Sequence, residues 1–243
     1  DNCGIDTIFH SMCDFSCTHL GDNSVTLTVT DIHGNSATCT ATVTVVDNEA
    51  PVAQCQDVTV ALDGSGFAHL DASAFDDNSY DNCSIDTIFH NICDYSCANL
   101  GNNVIVLTVV DGSGNSSTCS SNLTVVDNEA PTASCQDLTV ALDANGQATV
   151  TAAQVDDNSF DNCAIVSYAV DPSSFTCANV GANTVTLTVA DASGNSGTCS
   201  STVTVVDNTA PQAICQAVTV SAGSSGSVSI TAGQVNNGSS DNC

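Results

Sequence analysis

The sequence predicts an all-β protein: tandem immunoglobulin-like β-sandwich repeats of 80 residues, arranged as a rod. Three observations lead there. The composition is rich in Thr, Val, Ser, Asn and Asp, and it holds no Trp, Lys or Arg, which is the make-up of strands and turns. Two-residue alternation of apolar and polar residues recurs between turn signals, and no segment of adequate length carries a helical period. The whole pattern then returns at a fixed interval.

That interval is strict. "DNC" occurs at 1–3, 81–83, 161–163 and 241–243, and a "DN-x-AP" stop begins at 47, 127 and 207. "CQ" follows at Cys55, Cys135 and Cys215, and "GNS-x-x-C" ends at Cys39, Cys119 and Cys199. Starting each repeat at the acidic stop gives complete repeats at 47–126 and 127–206. Residues 1–46 then read as the C-terminal part of an earlier repeat, and 207–243 as the N-terminal part of a later one.

Within 47–126 the expected strands follow in order. "DVTVAL" (57–62) and "FAHLDA" (67–72) flank the turn "DGSG". "SIDTIFH" (84–90) comes next, then an irregular stretch "NICDYSCANLG". "NVIVLTVVD" (103–111) leads through the turn "GSGN" into a last strand ending "NLTVVD". Several short strands with turns every eight to twelve residues or so are the signature of an immunoglobulin-like sandwich.

Charge narrows the partners. The formal net charge is −27 with no Lys or Arg, so the chain has no cationic side chains with which to displace counterions from nucleic acid or from anionic lipid. No membrane insertion is expected, because no apolar run approaches spanning length. The 27 acidic residues comprise 25 Asp and only Glu49 and Glu129 as Glu. Aspartate is poor within helices and favoured in turns and in calcium-binding loops.

In a sandwich of alternating strands, the linker, the loop before the third strand and the loop before the last strand return to one pole. For the second repeat this gathers Asp47, Asn48 and Glu49 with Asp76, Asp77 and Asp81 and with Asp111. The third repeat offers Asp127, Asn128, Glu129, Asp156, Asp157, Asp161 and Asp191. Two carboxylates about 4 Å apart repel by roughly 4 kcal/mol at an effective dielectric near 20. With no basic residue available, Ca²⁺ is the expected structural partner, set against simple solvation of turn residues. At the 207 stop, Thr209 replaces the glutamate and "NNGSSDN" (236–242) loses two aspartates, so weaker binding, or none, is expected there. Pro51, Pro131 and Pro211 add stiffness by fixing φ.

The run "D-N-x-A-P…C-Q…D-N-C…G-N-S-x-T-C…T-V-x-V-x-D" resembles the hyalin-repeat (HYR-like) domain of large bacterial extracellular surface proteins, over the whole chain. That resemblance implies an immunoglobulin-like fold and a role in adhesion or as an extracellular stalk. The "DNEAP" linker is also similar to the calcium-binding linker of cadherins.

Fifteen cysteines imply an oxidising compartment and structural disulfides. The third repeat shows the minimal set of Cys135, Cys163, Cys177 and Cys199, which allows three connectivities. Cys135 and Cys199 lie near the same pole, which favours that pair and leaves Cys163 with Cys177. The same rule gives Cys55–Cys119, Cys83–Cys97 and Cys3–Cys17, with Cys39, Cys215 and Cys243 paired elsewhere. Cys13 and Cys93 are left over, where the third repeat has Ser173. Three readings stand for them: unpaired or alternatively paired thiols, an inter-chain or inter-repeat cross-link, or a transition-metal site of His10, Cys13, Cys17 and His19.

No catalytic motif is legible, and the five histidines do not recur at matching positions across the repeats. The chain therefore reads as a non-enzymatic, extracellular repeat array, calcium-stiffened and disulfide-stapled, serving as stalk or filament of a bacterial surface adhesin. Its expected partners are further copies of the repeat, with a surface glycan or cell-surface partner reached through other regions. It opens on "DNC" rather than on a leader, so it reads as a mature fragment. The alternative is a self-assembling filament subunit, in which 207–243 of one chain completes 1–46 of the next by strand donation, or in which Cys13 and Cys93 join chains. A carbohydrate-binding module has less support, since only Phe9/Phe89 and Phe15/Tyr95 recur as aromatic pairs.

Overall fold

Alternation in the sequence becomes alternation of burial in the computed structural model, which describes residues 2–243. The chain divides into two units: Asp1–Leu62 with Phe67–Val126, and Asp63–Gly66 with Asp127–Cys243.

In the first unit, β1 (Ile5–His10), β2 (Gly21–Asp31) and β3 (Ser36–Val45) form an antiparallel meander in the order β1-β2-β3. After the acidic stop come β4 (Val58–Ala61), β5 (Phe67–His69), β6 (Ile85–His90), β7 (Asp94–Ser96), β8 (Gly101–Asp111) and β9 (Ser116–Val126). They make a four-stranded sheet, β4-β9-β8-β6, and a two-stranded sheet, β5-β7. β4 runs parallel to β9 with Val58 opposite Leu123, while the other pairs are antiparallel.

The period of two decides which face is core. Along β8, Ile105, Leu107 and Val109 are fully buried, whereas Val104 between them and the turn is 65% exposed. Leu123 and Val125 of β9 are buried too, as are Phe75, Tyr95 and Leu62 from the other strands and loops. Tyr95 is thus a core residue whose hydroxyl donates to the carbonyl of Ile92, while Phe89 is half-exposed. The stretch 91–101 that looks irregular in sequence supplies β7 and a one-turn 3₁₀ helix, Cys97–Asn99.

The second unit repeats the plan with β10 (Leu138–Ala141), β11 (Gln147–Thr149), β12 (Ile165–Asp171), β13 (Ser174–Thr176), β14 (Gly181–Asp191) and β15 (Ser196–Val206). Its sheets are β10-β15-β14-β12 and β11-β13. Val185, Leu187, Val189, Val203 and Val205 from one sheet pack with Leu142, Val150, Val155 and Phe175 from the other side, closing a sandwich core. Residues 207–243 add a one-turn helix, Ala232–Val235, and two isolated bridges, Gln212 with Ser240 and Cys215 with Asn236.

The disulfides follow the strand geometry. Cys55 bonds Cys119 on β9, and Cys135 bonds Cys199 on β15. The other expected pairs are corrected: Cys17 bonds Cys83 rather than Cys3, and Cys177 bonds Cys243 rather than Cys163. Cys83 therefore does not bond Cys97. The physical reason lies in β6, which separates Cys83 from Cys97 by six extended residues, about 20 Å of chain. β1 stands in the same way between Cys3 and Cys17, and β12 between Cys163 and Cys177. A cysteine at one pole of a repeat is bonded to a cysteine at the facing pole of a neighbouring repeat, with the partners 66 positions apart in both pairs.

Candidate metal centre

Three aspartates distant in sequence meet in each unit. Asp47 follows β3, Asp81 lies in the loop before β6 and Asp111 ends β8; each offers a carboxylate oxygen within 4.8 Å of the others. Asp127, Asp161 and Asp191 repeat this at the matching positions of the second unit.

Local turns aim the carboxylates. Asp81 Oδ2 accepts the backbone N–H of Cys83 at 2.9 Å and of Ser84 at 3.1 Å. Asp161 does the same with Cys163 and Ala164. Asp47 Oδ1 accepts from the N–H of Glu49 and from Nδ2 of Asn82, and Asp127 Oδ1 accepts from Glu129 and Asn162. In every case one oxygen is occupied and the other points inward. Asp47 Oδ2, Asp81 Oδ1, Asp127 Oδ2 and Asp161 Oδ1 are buried atoms with no hydrogen-bond partner.

Asp111 and Asp191 close the cluster from the turn after β8 and β14. Asp111 Oδ1 accepts the N–H of Ser113 and of Asn115 at 2.9 and 2.8 Å, and Oδ2 accepts Asn115 Nδ2 at 2.7 Å. Gly114, at φ +90°, supplies the left-handed residue that this turn requires. Burial pushes the Asp111 carboxyl up, but the side-chain and backbone donors of Asn115, with those of Ser113 and Gly114, outweigh it and hold the group below its usual range. Asp191 is held low by the same balance. Both are almost fully buried, at 2% and 5% exposure, as is Asp127 at 5%.

Three carboxylates this close repel by roughly 3–4 kcal/mol per pair at an effective dielectric near 20. The chain has no Lys or Arg to neutralise them. Orphaned buried oxygens at the focus of three carboxylates fit a hard cation with oxygen ligands, and they fit nothing hydrogen-bonded in the fold itself.

The remaining sequence candidates lie elsewhere. Asn48, Glu49, Asn128 and Glu129 are exposed on the segment after the first aspartate. Bridges of Val52 with Tyr80 and of Cys55 with Asp76 run residues 76–80 antiparallel to 52–55. That path carries Asp81 toward Asp47 and leads Asp76 and Asp77 away from it. Asp76 Oδ1 instead accepts the N–H of Ser79, and Asp156 does likewise with Ser159. Asp77 and Asp157 are exposed. Of six carboxylates expected per junction, three meet.

Asparagines beside the aspartates tie the clusters to the backbone through their amide nitrogens. Asn115 Nδ2 reaches the backbone carbonyl of Asp47 at 3.2 Å, and Asn195 reaches that of Asp127 at 3.1 Å. Asn162 Nδ2 donates to the carbonyl of Asp63 as well as to Asp127, and Asn242 donates to Asp143 and Asp207 in the same pattern. The signal was present in the fixed spacing of "DNC" and "D-x-x-G-N", which places an amide next to each aspartate.

At the 207 stop, Asp207 and Asp241 keep the first two aspartate positions. The changes at 209 and 236–237 fall on positions that lie outside the clusters of the other repeats, so they give no reason for weaker binding.

The proposed His10/Cys13/Cys17/His19 site is excluded by the fold. Cys17 is consumed in its disulfide, while His10 Nδ1 faces the carbonyl of Met12 and His19 Nδ1 faces Ser16. Cys13 and Cys93 are exposed and unbonded.

Fold and site together define an immunoglobulin-like β-sandwich repeat protein with an acidic cluster at one pole of the repeat. Residues 126–205 match the model of the HYR domain, and this stretch is an HYR-like domain. No curated protein matches the chain. Among solved structures it is similar to the protocadherin gamma B2 extracellular cadherin domains 1–5, at 16% identity and a TM-score of 0.34, over 82% of this chain and 48% of that one. It is also similar to Sidekick-1 immunoglobulin domains 1–4, at 8% identity and a TM-score of 0.35, over 79% and 60% of the two chains. A third likeness is to titin domains I67–I69, at 11% identity and a TM-score of 0.34, over 76% and 75%. The chain thus spans about half the length of the first of these. No helix is long and apolar enough to cross a membrane.

Proposed function

We propose that the chain is part of an extracellular stalk, built from tandem HYR-like repeats that bind Ca²⁺ at Asp47, Asp81 and Asp111 and at Asp127, Asp161 and Asp191. Complete repeats at 47–126 and 127–206 would be flanked by parts of further repeats at 1–46 and 207–243. The role is structural: the ion ties the segment entering a repeat to the body of that repeat, and the disulfides join repeats covalently. A surface adhesin is the setting that such a stalk serves, and further copies of the repeat are its immediate partners.

One observation carries this reading. In a chain with no basic side chain other than five histidines, inward-facing carboxylate oxygens are buried without any partner. Extracellular modules bind Ca²⁺ at about 10⁻⁴–10⁻³ M, and these carboxylates with nearby backbone carbonyls supply suitable ligands. Calorimetric titration of the intact chain with CaCl₂ tests it. Saturable binding in that range, with a rise in thermal stability reversed by a chelator, supports the reading. No heat and no stabilisation at 10 mM Ca²⁺, about ten times the weak end of that range, would remove it.

A further inference from the structure

Asp81, Asn82 and Cys83 are consecutive residues with three different anchors. Asp81 turns Oδ1 into the cluster while Oδ2 holds the N–H of Cys83. Asn82 donates from Nδ2 to Asp47 Oδ1 at 3.3 Å. Cys83 is bonded to Cys17, which sits in the turn before β2 of the preceding repeat, and Cys17 Sγ lies 3.5 Å from the carbonyl oxygen of Asn82. Two of the three aspartates are therefore positioned by a tripeptide whose far end is a covalent staple.

We propose that the Cys17–Cys83 disulfide and the cation at Asp47, Asp81 and Asp111 are thermodynamically coupled, so that reducing the disulfide weakens the ion and binding the ion protects the disulfide. This rests on the reading of the cluster as a Ca²⁺ site. The cause is preorganisation. With Cys83 fixed, its N–H holds Asp81 in the binding orientation before the ion arrives; with Cys83 released, that order must be imposed at binding. Linkage then requires the reciprocal effect by the same factor.

The redox step balances with a dithiol reductant. Its two thiols give up two electrons and two protons and close to a disulfide. The Cys17–Cys83 sulfur–sulfur bond breaks, and each sulfur leaves as a thiol. Cys55–Cys119 is not part of this coupling, because Cys55 pairs with Asp76, outside the cluster, and Cys119 lies mid-strand opposite Leu107.

The test uses the full chain carrying Asp161→Asn, which leaves the first cluster as the complete one, with and without Cys17→Ser plus Cys83→Ser. Calorimetry with CaCl₂ is expected to show an affinity about tenfold weaker in the serine variant, with far-ultraviolet circular dichroism unchanged. Equal affinity within twofold overturns the coupling. Absence of any binding to the disulfide-intact chain overturns the Ca²⁺ reading instead. A second measurement needs no cysteine variant. Equilibration with dithiothreitol, followed by alkylation and mass mapping of Cys17 and Cys83, should show a reduction equilibrium shifted about tenfold by saturating Ca²⁺. Asp81→Asn should abolish the shift. An equilibrium that Ca²⁺ does not move, in a chain that binds it, overturns the proposal.

Discussion

Asn195 and Asp127 stand 68 residues apart, yet Asn195 Nδ2 donates to the backbone carbonyl of Asp127 at 3.1 Å. The same amide nitrogen donates to Asp191 Oδ2 at 2.8 Å, and the Asn195 N–H reaches Asp191 Oδ1, also at 2.8 Å. One residue thus orients the buried carboxylate of Asp191 and, through the backbone carbonyl of Asp127, pins the chain entering the repeat.

Removing that side chain should be costly in two ways. Asn195→Ala deletes a hydrogen bond to a charged group and another to a backbone carbonyl, a loss of about 2 kcal/mol. For a domain of this size that lowers the melting temperature by roughly 8–16 °C. Scanning calorimetry in the presence of a chelator isolates this structural part. Calcium titration should then show weakened binding in the same variant, because Asp191 Oδ2 is no longer held.

Gly146 makes a close approach to its neighbours within the second unit. At φ +69° it sits where a Cβ would lie 2.6 Å from Cys177 Sγ and 2.7 Å from the carbonyl oxygen of Asn242. Its N–H donates to Asp143, whose own carbonyl accepts from Asn242. Gly146→Ala should therefore push the Asp143–Gly146 turn off the Asn242–Cys243 segment, at a cost of about 1–3 kcal/mol. Hydrogen exchange should speed up at Gly146 and across 240–243, while β14 and β15 keep their protection. Unchanged exchange at both places contradicts this account.

Much of the fold could be read from alternation alone. Ile105, Leu107 and Val109 announce a half-buried strand because a period of two leaves no other way to bury them together. β7 was hidden because Asp94, Tyr95 and Ser96 are too short a run to show a period. Asp47, Asp81 and Asp111 were within reach, since topology brings their three loops to one pole. Asp76 was not separable from Asp81 in sequence, because only the antiparallel bridges of 52–55 with 76–80 decide which end of the loop faces the linker. The staple between Cys17 and Cys83 was missed for a related reason: a pairing within one repeat looks shorter along the chain, but β6 holds Cys83 and Cys97 at opposite ends.

Among the described histidines, His69 has a distinct setting. Nδ1 lies 2.6 Å from Asp94 Oδ1, and Nε2 lies 3.5 Å from Asp71. The hydrogen bond to Asp94, with the charges of Asp94 and Asp71, raises its pKa above the ordinary 6.5 against a smaller loss from desolvation. A raised folded value means the pair's stabilisation is complete below the unfolded pKa and fades as pH rises through the folded one. All three side chains are well exposed, so the effect on stability is small and the direct readout is better. A proton–carbon NMR titration should show the His69 ring titrating above 6.5, and Asp94→Asn should bring it down. A ring that ignores Asp94→Asn would break the assignment.

Neighbouring aspartates in one loop provide the sharpest discrimination. Asp161 sends an unpartnered, buried oxygen into the cluster, whereas Asp157 is exposed and tied in only through its backbone N–H to Ser134. Asp161→Asn and Asp157→Asn remove the same charge four positions apart, so any general effect of charge on a highly acidic chain is common to both. An ion held at 100 times its dissociation constant stabilises its site by about 2.7 kcal/mol. With saturating Ca²⁺, Asp157→Asn should keep that gain in the second unit. Asp161→Asn should lose most of it, and in chelator it should be as stable as the parent chain or more so, since a mutual repulsion has gone. Equal responses to Ca²⁺ in the two variants would show that the ion is not held by the three aspartates that the fold brings together.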